Sequence, residues 1–159
     1  MATSRRAMRE SERFCAEILP KVSRTFALGI EALPDRLRDA VRTAYLLCRI
    51  ADTVEDDLSL PGGTKRERLG RFVSLLRDPG TERGAVEGFA AVCARGAGGA
   101  PDDLRLVAGA SAVFEELRRL PGPVQRILER YVGELAEGMA DYCARQRDGD
   151  AVAIETVED

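Results

Sequence analysis

Residues 35–57 read DRLRDAVRTAYLLCRIADTVEDD, and this stretch decides the class of fold. Its apolar residues recur at intervals of three and four, which is the spacing of one face of an α-helix. Asp35 follows a proline and is expected to be the N-cap of a long helix that continues through Asp57. The apolar positions that carry the pattern are Leu37, Val41, Ala44, Leu47, Cys48, Ala51 and Val54.

The same periodicity extends over nearly the whole chain, and alternating β-branched residues are absent. The sequence therefore predicts an all-α fold, with residues 1–159 in one helical domain and an acidic tail at 148–159. Pro20 is expected to end the first helix, Thr64 to cap the fourth, and residues 154–159 to be a candidate start of a further helix. The other expected helices cover residues 4–18, 22–32, 64–77, 82–94, 102–120 and 123–147.

Composition and charge exclude several classes of function. The chain has 159 residues, a net charge of −3 and no histidine, so His-based catalysis and His metal sites are excluded. The negative charge argues against a nucleic-acid partner. No apolar run reaches the roughly 20 residues of a membrane span, so at most peripheral membrane contact is expected. The four cysteines lack disulfide or metal spacing, which indicates reduced thiols and a cytoplasmic protein; they are Cys15, Cys48, Cys93 and Cys143.

The end of the 35–57 helix carries a polar face. At 3.6 residues per turn, its members fall within a narrow arc; they are Tyr45, Arg49, Asp52 and Asp56. Asp52 and Asp56 repel each other unless a cation is near, and Arg49 offsets part of that repulsion. Mg²⁺ takes one or two carboxylates and completes its shell with water and substrate phosphate, so the face is a candidate Mg²⁺-diphosphate site. The alternative is a solvated acidic surface, which the strongly apolar residues just before it disfavour.

Two further clusters each allow two interpretations. Ser23 and Arg24 follow a proline at a helix start, where amides, a hydroxyl and a guanidinium can bind phosphate. Taken alone, that pattern favours a simple helix cap. In residues 131–142, glycines and alanines leave space beside the helix, either for close helix packing or for a long apolar substrate. The small residues are Gly133, Ala136, Gly138 and Ala140.

Three motifs in register resemble the squalene/phytoene synthase family. They are Ser23-Arg24-Thr25-Phe26-Ala27, Leu37-Arg38-Asp39-Ala40-Val41 and Tyr45 to Asp57. The form Asp52-Thr-Val-Glu55-Asp56-Asp57 is similar to the squalene synthase branch, as is Gly138-Met139-Ala140-Asp141-Tyr142. The resemblance covers nearly the whole chain.

This resemblance implies an isoprenoid synthase fold with a central cavity. The family condenses two farnesyl diphosphates head to head and reduces the product with NADPH. The resemblance assigns Mg²⁺-diphosphate binding and a catalytic role to Asp52 and Asp56, with Glu55 as a further metal ligand. It assigns phosphate contacts and catalysis to Tyr45 and Arg49. Further substrate contacts are implied for Ser23, Arg24, Phe26, Gly138 and Met139.

The chain lacks elements that the family carries further on, including a second aspartate-rich motif. It therefore resembles roughly the first half of a synthase. The intact motifs favour one subunit of a split enzyme, with the other aspartate motif on a second-half partner chain. The alternatives are an inactive truncated fragment and a non-catalytic helical protein that binds prenyl diphosphates or a partner.

Overall fold

The long helix over residues 35–55 is the centre of the molecule. The computed structural model describes residues 9–95 and 98–145, and within these ranges the chain forms eight α-helices and no strand. The predicted all-α class is confirmed, while the acidic tail at 148–159 lies outside the described residues. The helices are α1 Glu10–Val22, α2 Arg24–Glu31, α3 Asp35–Glu55, α4 Gly62–Arg77, α5 Arg83–Ala94, α6 Pro101–Ala108, α7 Ala110–Arg119 and α8 Gly122–Arg145.

Helix α3 is the central helix, and the other helices completely bury its apolar face. It packs against α1, α2, α4, α6, α7 and α8. Its fully buried side chains include Leu46, Leu47 and Ile50. Such burial contributes about 1.5–3 kcal/mol for each large aliphatic side chain. The buried middle of α3 therefore fixes the position of the helix. Its C-terminal turns, which bear the polar face, extend from this buried segment.

Helices α4 and α8 form a long antiparallel pair. The guanidinium of Arg77, in the last turn of α4, donates two hydrogen bonds to Glu137 of α8, with Nη2 at 2.8 Å from Oε2. Near the other end of α4, Lys65 is close enough to Cys143 of α8 to influence the pKa of that thiol. Helix α4 therefore has α8 on one side and α5 on another. No described helix combines the length and the apolar character needed to cross a bilayer.

Three predicted helix ends were wrong, each for a local reason. Pro34, not Asp35, is the N-cap of α3, and the Asp35 carboxylate pairs with Arg38 at 2.9 Å in the first turn. Helix α4 begins at Gly62 after Pro61, so Thr64 is not its cap. Pro20 lies inside α1, which continues to Val22, and the amide of Ser23 closes this last turn by donating to the carbonyl of Leu19 at 2.9 Å.

The predicted helix over residues 102–120 was also wrong, because Gly109 divides it into α6 and α7. A β-carbon at position 109 would lie 2.1 Å from the ring tip of Phe14 in α1. The aromatic ring thus occupies the place where any other residue would carry its side chain. Only glycine allows α1 to approach the α6–α7 junction this closely.

Gly109→Ala is expected to destabilise the chain by about 1–3 kcal/mol, because the Phe14 ring must leave its position. Urea denaturation of both proteins measures the difference. Gly70→Ala is the matched control, since a β-carbon there meets nothing within 4 Å. That variant should gain up to about 1 kcal/mol from helix propensity. Equal stability of Gly109→Ala and the parent chain would contradict the steric account.

Candidate active site

The acidic face lies on the last two turns of α3, where the helix leaves the core. Asp52 and Glu55 are half-buried and Asp56 is exposed. Burial raises the pKa of the Asp52 carboxyl; the charges of Asp56 and Asp103 raise it further, and Arg49 lowers it in part. Burial also raises the pKa of Glu55, helped by the charge of Asp56. The folded chain therefore holds negative charge here at an energetic cost.

Arg49 is held by an acidic residue that sequence reasoning missed. Its Nε donates to Oδ1 of Asp103 at 3.0 Å, and its Nη2 donates to Oδ2 at 2.8 Å. Asp103 is on α6, and its side chain is only 13% exposed, against 32% for Arg49. The sequence predicts that Arg49 offsets part of the repulsion between Asp52 and Asp56, and its charge does lower the pKa of Asp52. The structure adds Asp103 as its direct hydrogen-bonding partner. This bidentate hydrogen bonding fixes the plane of the Arg49 guanidinium at the edge of the acidic face.

Two buried side chains, Lys65 and Asp57, form hydrogen bonds at the C-terminal end of α3. Lys65 of α4 donates from Nζ to the backbone carbonyl of Glu55. Asp57 accepts from the amide of Ser59 at 2.9 Å, from its hydroxyl at 2.6 Å and from the amide of Gly98 at 3.4 Å. Burial acts to raise the pKa of Asp57, but these hydrogen bonds outweigh it, so the pKa is lowered. Asp57 thus stabilises the loop that follows α3, and its role is structural.

The donor set of the face fits a hard divalent cation. Asp52 and Asp56 supply carboxylate oxygens, and neither makes an ion pair within 4 Å among residues 9–95 and 98–145. In the same part of the chain, no three acidic or cysteine side chains converge as a metal-binding group. Mg²⁺ needs only one or two protein carboxylates when a diphosphate and water complete its shell. Glu55 as a third ligand stays a prediction.

An aromatic pair extends the face towards the start of α3. The rings of Tyr45 and Phe26, the latter on α2, lie 5.0 Å apart between centroids at an interplanar angle of 30°. Phe26 is largely exposed. Ser23 is the N-cap of α2, and its hydroxyl accepts a hydrogen bond from the amide of Phe26 at 3.3 Å. The capping interpretation of Ser23 is confirmed, and its phosphate contact, like that of exposed Arg24, stays a prediction.

Helix α8 exposes a row of large apolar side chains at helical spacing. We call this row the α8 stripe; its members are between 41% and 58% exposed, and they are Ile127, Tyr131, Leu135 and Tyr142. A soluble helix normally buries such a row against a partner. The charge of Glu55 raises the pKa of Cys143, although burial contributes more, so the C-terminal ends of α3 and α8 lie together. The stripe is therefore on a helix adjacent to the acidic face.

Two glycines in the interior of α8 differ in what surrounds them. A β-carbon at Gly133 would lie 2.8 Å from Nη2 of Arg77, so this glycine leaves room for the Arg77 side chain of α4 to lie against α8. A β-carbon at Gly138 meets nothing within 4 Å, and the position is exposed. Met139 beside it is partly buried against the core. The packing interpretation holds for Gly133, while Gly138 leaves open space next to the α8 stripe.

These features define an all-α chain with an acidic helix face beside an apolar one, and comparison with known proteins gives the class. The squalene/phytoene synthase family profile matches residues 19–159. The chain belongs to the squalene/phytoene synthase family. Squalene synthase of Schizosaccharomyces pombe is 31% identical over 147 residues, which is 92% of this chain. Squalene synthase of Nicotiana benthamiana is 58% identical over 65 residues, 41% of this chain and 16% of its own length.

Solved structures give the same fold. The complex of TcSQS with the ligand E5700 superposes with a TM-score of 0.71 at 34% identity, over 86% of this chain. The fold is thus the helical, terpenoid synthase-like fold of squalene synthase. The chain spans 30% of the S. pombe protein and 36% of the TcSQS chain. The covered share is therefore nearer to a third than to the half that the motifs suggested.

Proposed function

We propose that this chain forms the Mg²⁺-diphosphate-binding wall of a squalene synthase-like prenyltransferase. The substrate is farnesyl diphosphate, and turnover requires a separate second-half chain that carries the other aspartate motif. The observation that carries the proposal is the acidic face of α3, with Asp52 and Asp56 without ion-pair partners among the described residues and Arg49 held by Asp103.

Each residue of the face has a defined task in this proposal. Asp52 and Asp56 would hold Mg²⁺, which would supply positive charge to neutralise the diphosphate and stabilise it as a leaving group. Arg49 presents its remaining nitrogen, Nη1, to a phosphate oxygen, while Asp103 keeps its plane fixed. Tyr45 lies one turn before Arg49 and contacts the same phosphate. NADPH is the reductant of the assembled enzyme, and we assign none of this chain's residues to it.

The α8 stripe supports the need for a partner. It exposes four large apolar side chains in one row, next to the open position of Gly138. Prenyl chains are apolar and need a water-free cavity, which a single convex helix face cannot provide. A second wall that covers the stripe would both enclose the prenyl chain and remove the apolar surface from water.

The chain purified alone is expected to be inactive. Incubation with farnesyl diphosphate, Mg²⁺ and NADPH should give no squalene or cyclopropyl diphosphate intermediate above a protein-free blank. The physical reason is that the metal held by one acidic face would neutralise only part of the diphosphate charge, and the prenyl chain would remain in water. Addition of a second-half chain, identified from the adjacent reading frame, should restore turnover. Product formation by the isolated chain would contradict the two-chain proposal while leaving the diphosphate site in place.

Self-association or a loosely packed state is expected when the chain is alone. Monomers rarely expose contiguous apolar patches beyond a few hundred Å². An obligate interface of this kind buries more than about 2,000 Å². Light scattering and the fluorescence of a hydrophobic dye measure the effect, and Leu135→Glu with Tyr131→Glu should reduce both. A monodisperse monomer that binds no dye and unfolds sharply would count against the partner.

A further inference from the structure

A cavity lies between α4 and α5, and no residue of the acidic face of α3 lines it. Its volume is about 490 Å³, within the range of small-molecule sites. The α4 wall is polar and the α5 wall is apolar. The lining residues are Thr64, Glu67, Arg68 and Arg71 on α4, and Ala85, Gly88, Phe89 and Val92 on α5.

The α4 wall carries more positive than negative charge, because two arginines and one glutamate line it. Neither Arg68 nor Arg71 makes an ion pair within 4 Å or a side-chain hydrogen bond among residues 9–95 and 98–145. By contrast, Arg77 of the same helix is paired with Glu137. Arg68 is near enough to Asp57 to lower the pKa of that carboxyl slightly, and Glu67 is the one acidic residue of the lining. Residues three apart on a helix are neighbours, so both guanidinium groups can reach one anion.

The α5 wall supplies an apolar floor with room above it. Phe89 forms the floor and is only 6% exposed, whereas Val92 on the rim is 48% exposed. Gly88 precedes Phe89 and lies about one turn before Val92, and a β-carbon at Gly88 would meet nothing within 4 Å. The lining positions on α4 span two helical turns, about 10 Å. This length and the volume of about 490 Å³ suit one hydrocarbon chain rather than a flat bilayer surface.

We propose that the α4–α5 groove binds a single-chain amphiphile with an anionic head. The hydrocarbon chain lies over Phe89 and Gly88, and a phosphate or carboxylate head lies between Arg68 and Arg71. The net charge of the groove lining is positive, opposite in sign to that of the α3 face, so the two sites differ in chemistry. This site is independent of the proposed prenyltransferase function, because binding needs neither a metal nor the second-half chain.

The test is calorimetric titration of the full chain in buffer with a chelator, which prevents metal-dependent binding at the α3 face. The probes are dodecyl phosphate, dodecanoate and geranyl diphosphate below their micellar concentrations, which distinguish lipid-like, fatty-acid and prenyl sources. Dodecyltrimethylammonium tests the sign of the head, and inorganic phosphate tests the head alone. At least one anionic amphiphile should bind saturably, and the cationic one should bind at least about 10-fold more weakly.

Three variants test whether the amphiphile binds in the α4–α5 groove, and a fourth variant is the control. Gly88→Leu fills the open space and should weaken binding about 10-fold or more, and Arg68→Gln with Arg71→Gln should do the same and reduce the salt dependence. Glu67→Gln should strengthen binding. Gly70→Leu is the control, since position 70 is exposed, open and outside the lining, and it should bind like the parent chain. The arginine variant decides the matter if Gly88→Leu does not fold.

Labelling with a photoreactive diazirine fatty acid separates the groove from the α8 stripe. Cross-linked peptides should come from residues 62–94, and excess dodecyl phosphate should suppress them. Three results would each overturn the proposal: no saturable binding of any anionic probe, labelling confined to α8, or unchanged affinity in both the Gly88→Leu and the arginine variants. Binding to anionic vesicles without binding of monomeric amphiphiles would also overturn it, in favour of a membrane surface.

Discussion

Asp52→Asn and Asp56→Asn are each expected to lower the turnover of the assembled enzyme by about 10³-fold or more. Each change deletes a ligand of the Mg²⁺-diphosphate complex, and a metal-bound leaving group is stabilised by several kcal/mol. About 4 kcal/mol corresponds to a factor of 10³ in rate. The measurement is steady-state turnover of farnesyl diphosphate with the second-half chain present. Mn²⁺ binding in the presence of pyrophosphate, followed by electron paramagnetic resonance, gives a second readout on this chain.

The matched control is Asp35→Asn, at the other end of the same helix. Asp35 is exposed, and its ion-pair partner within the described residues is Arg38, so its replacement should leave turnover and Mn²⁺ binding unchanged. Near-normal turnover of the Asp52 and Asp56 variants would show that the α3 face is a solvated acidic surface. In that case the proposed function fails, whereas the α4–α5 groove is unaffected.

The same substitutions should slightly stabilise the metal-free chain at neutral pH. Removal of one charge relieves a few tenths of a kcal/mol of repulsion between carboxylates one turn apart. For Asp52 the gain depends on pH in a defined direction. Its pKa in the folded chain is above the ordinary value of 3.8, so the native state binds more protons and the parent chain gains stability as pH falls through that window. The advantage of Asp52→Asn in urea denaturation should therefore shrink as the pH approaches 4.

Arg49→Ala is expected to cost stability as well as activity. It removes the partner of Asp103, whose carboxylate is largely buried and would be left with two unsatisfied oxygens. Loss of a hydrogen-bonded charge in such a setting costs about 1.5–3 kcal/mol. It also removes the charge that holds down the pKa of Asp52. Urea denaturation measures the first effect, and turnover with the second-half chain measures the loss of the phosphate contact.

A double-mutant cycle of Arg49→Ala and Asp103→Ala measures the interaction free energy between these two side chains. If the two side chains interact as the structure shows, the double variant should be more stable than the sum of the single losses predicts. Arg83→Ala is a control, since Arg83 makes a surface pair with Glu87, and exposed pairs contribute about 0–1 kcal/mol. A loss in Arg49→Ala no larger than that of this control would contradict the role of Asp103.

Much of the acidic face was predictable because its residues are close in sequence. Asp52 and Asp56 are one helical turn apart, so any helix over residues 35–55 must place them on one face. Asp103 was not predictable, since it is 54 positions from Arg49 and comes near only when α6 packs on α3. The α4–α5 groove was missed for the same reason. Its arginines are visible in the sequence, but the apolar wall opposite them comes from another helix.

The sequence by itself determined the helical class, the three motifs that place the chain in its family and the order of residues on the α3 face. These depend on spacing of three and four residues, which local backbone geometry converts directly into a face. Only the tertiary structure decided the break at Gly109 under the Phe14 ring and the different uses of Gly133 and Gly138. A glycine carries no side chain whose chemistry indicates a neighbour. Whether it is needed depends on which atoms the rest of the fold brings within reach of the missing β-carbon.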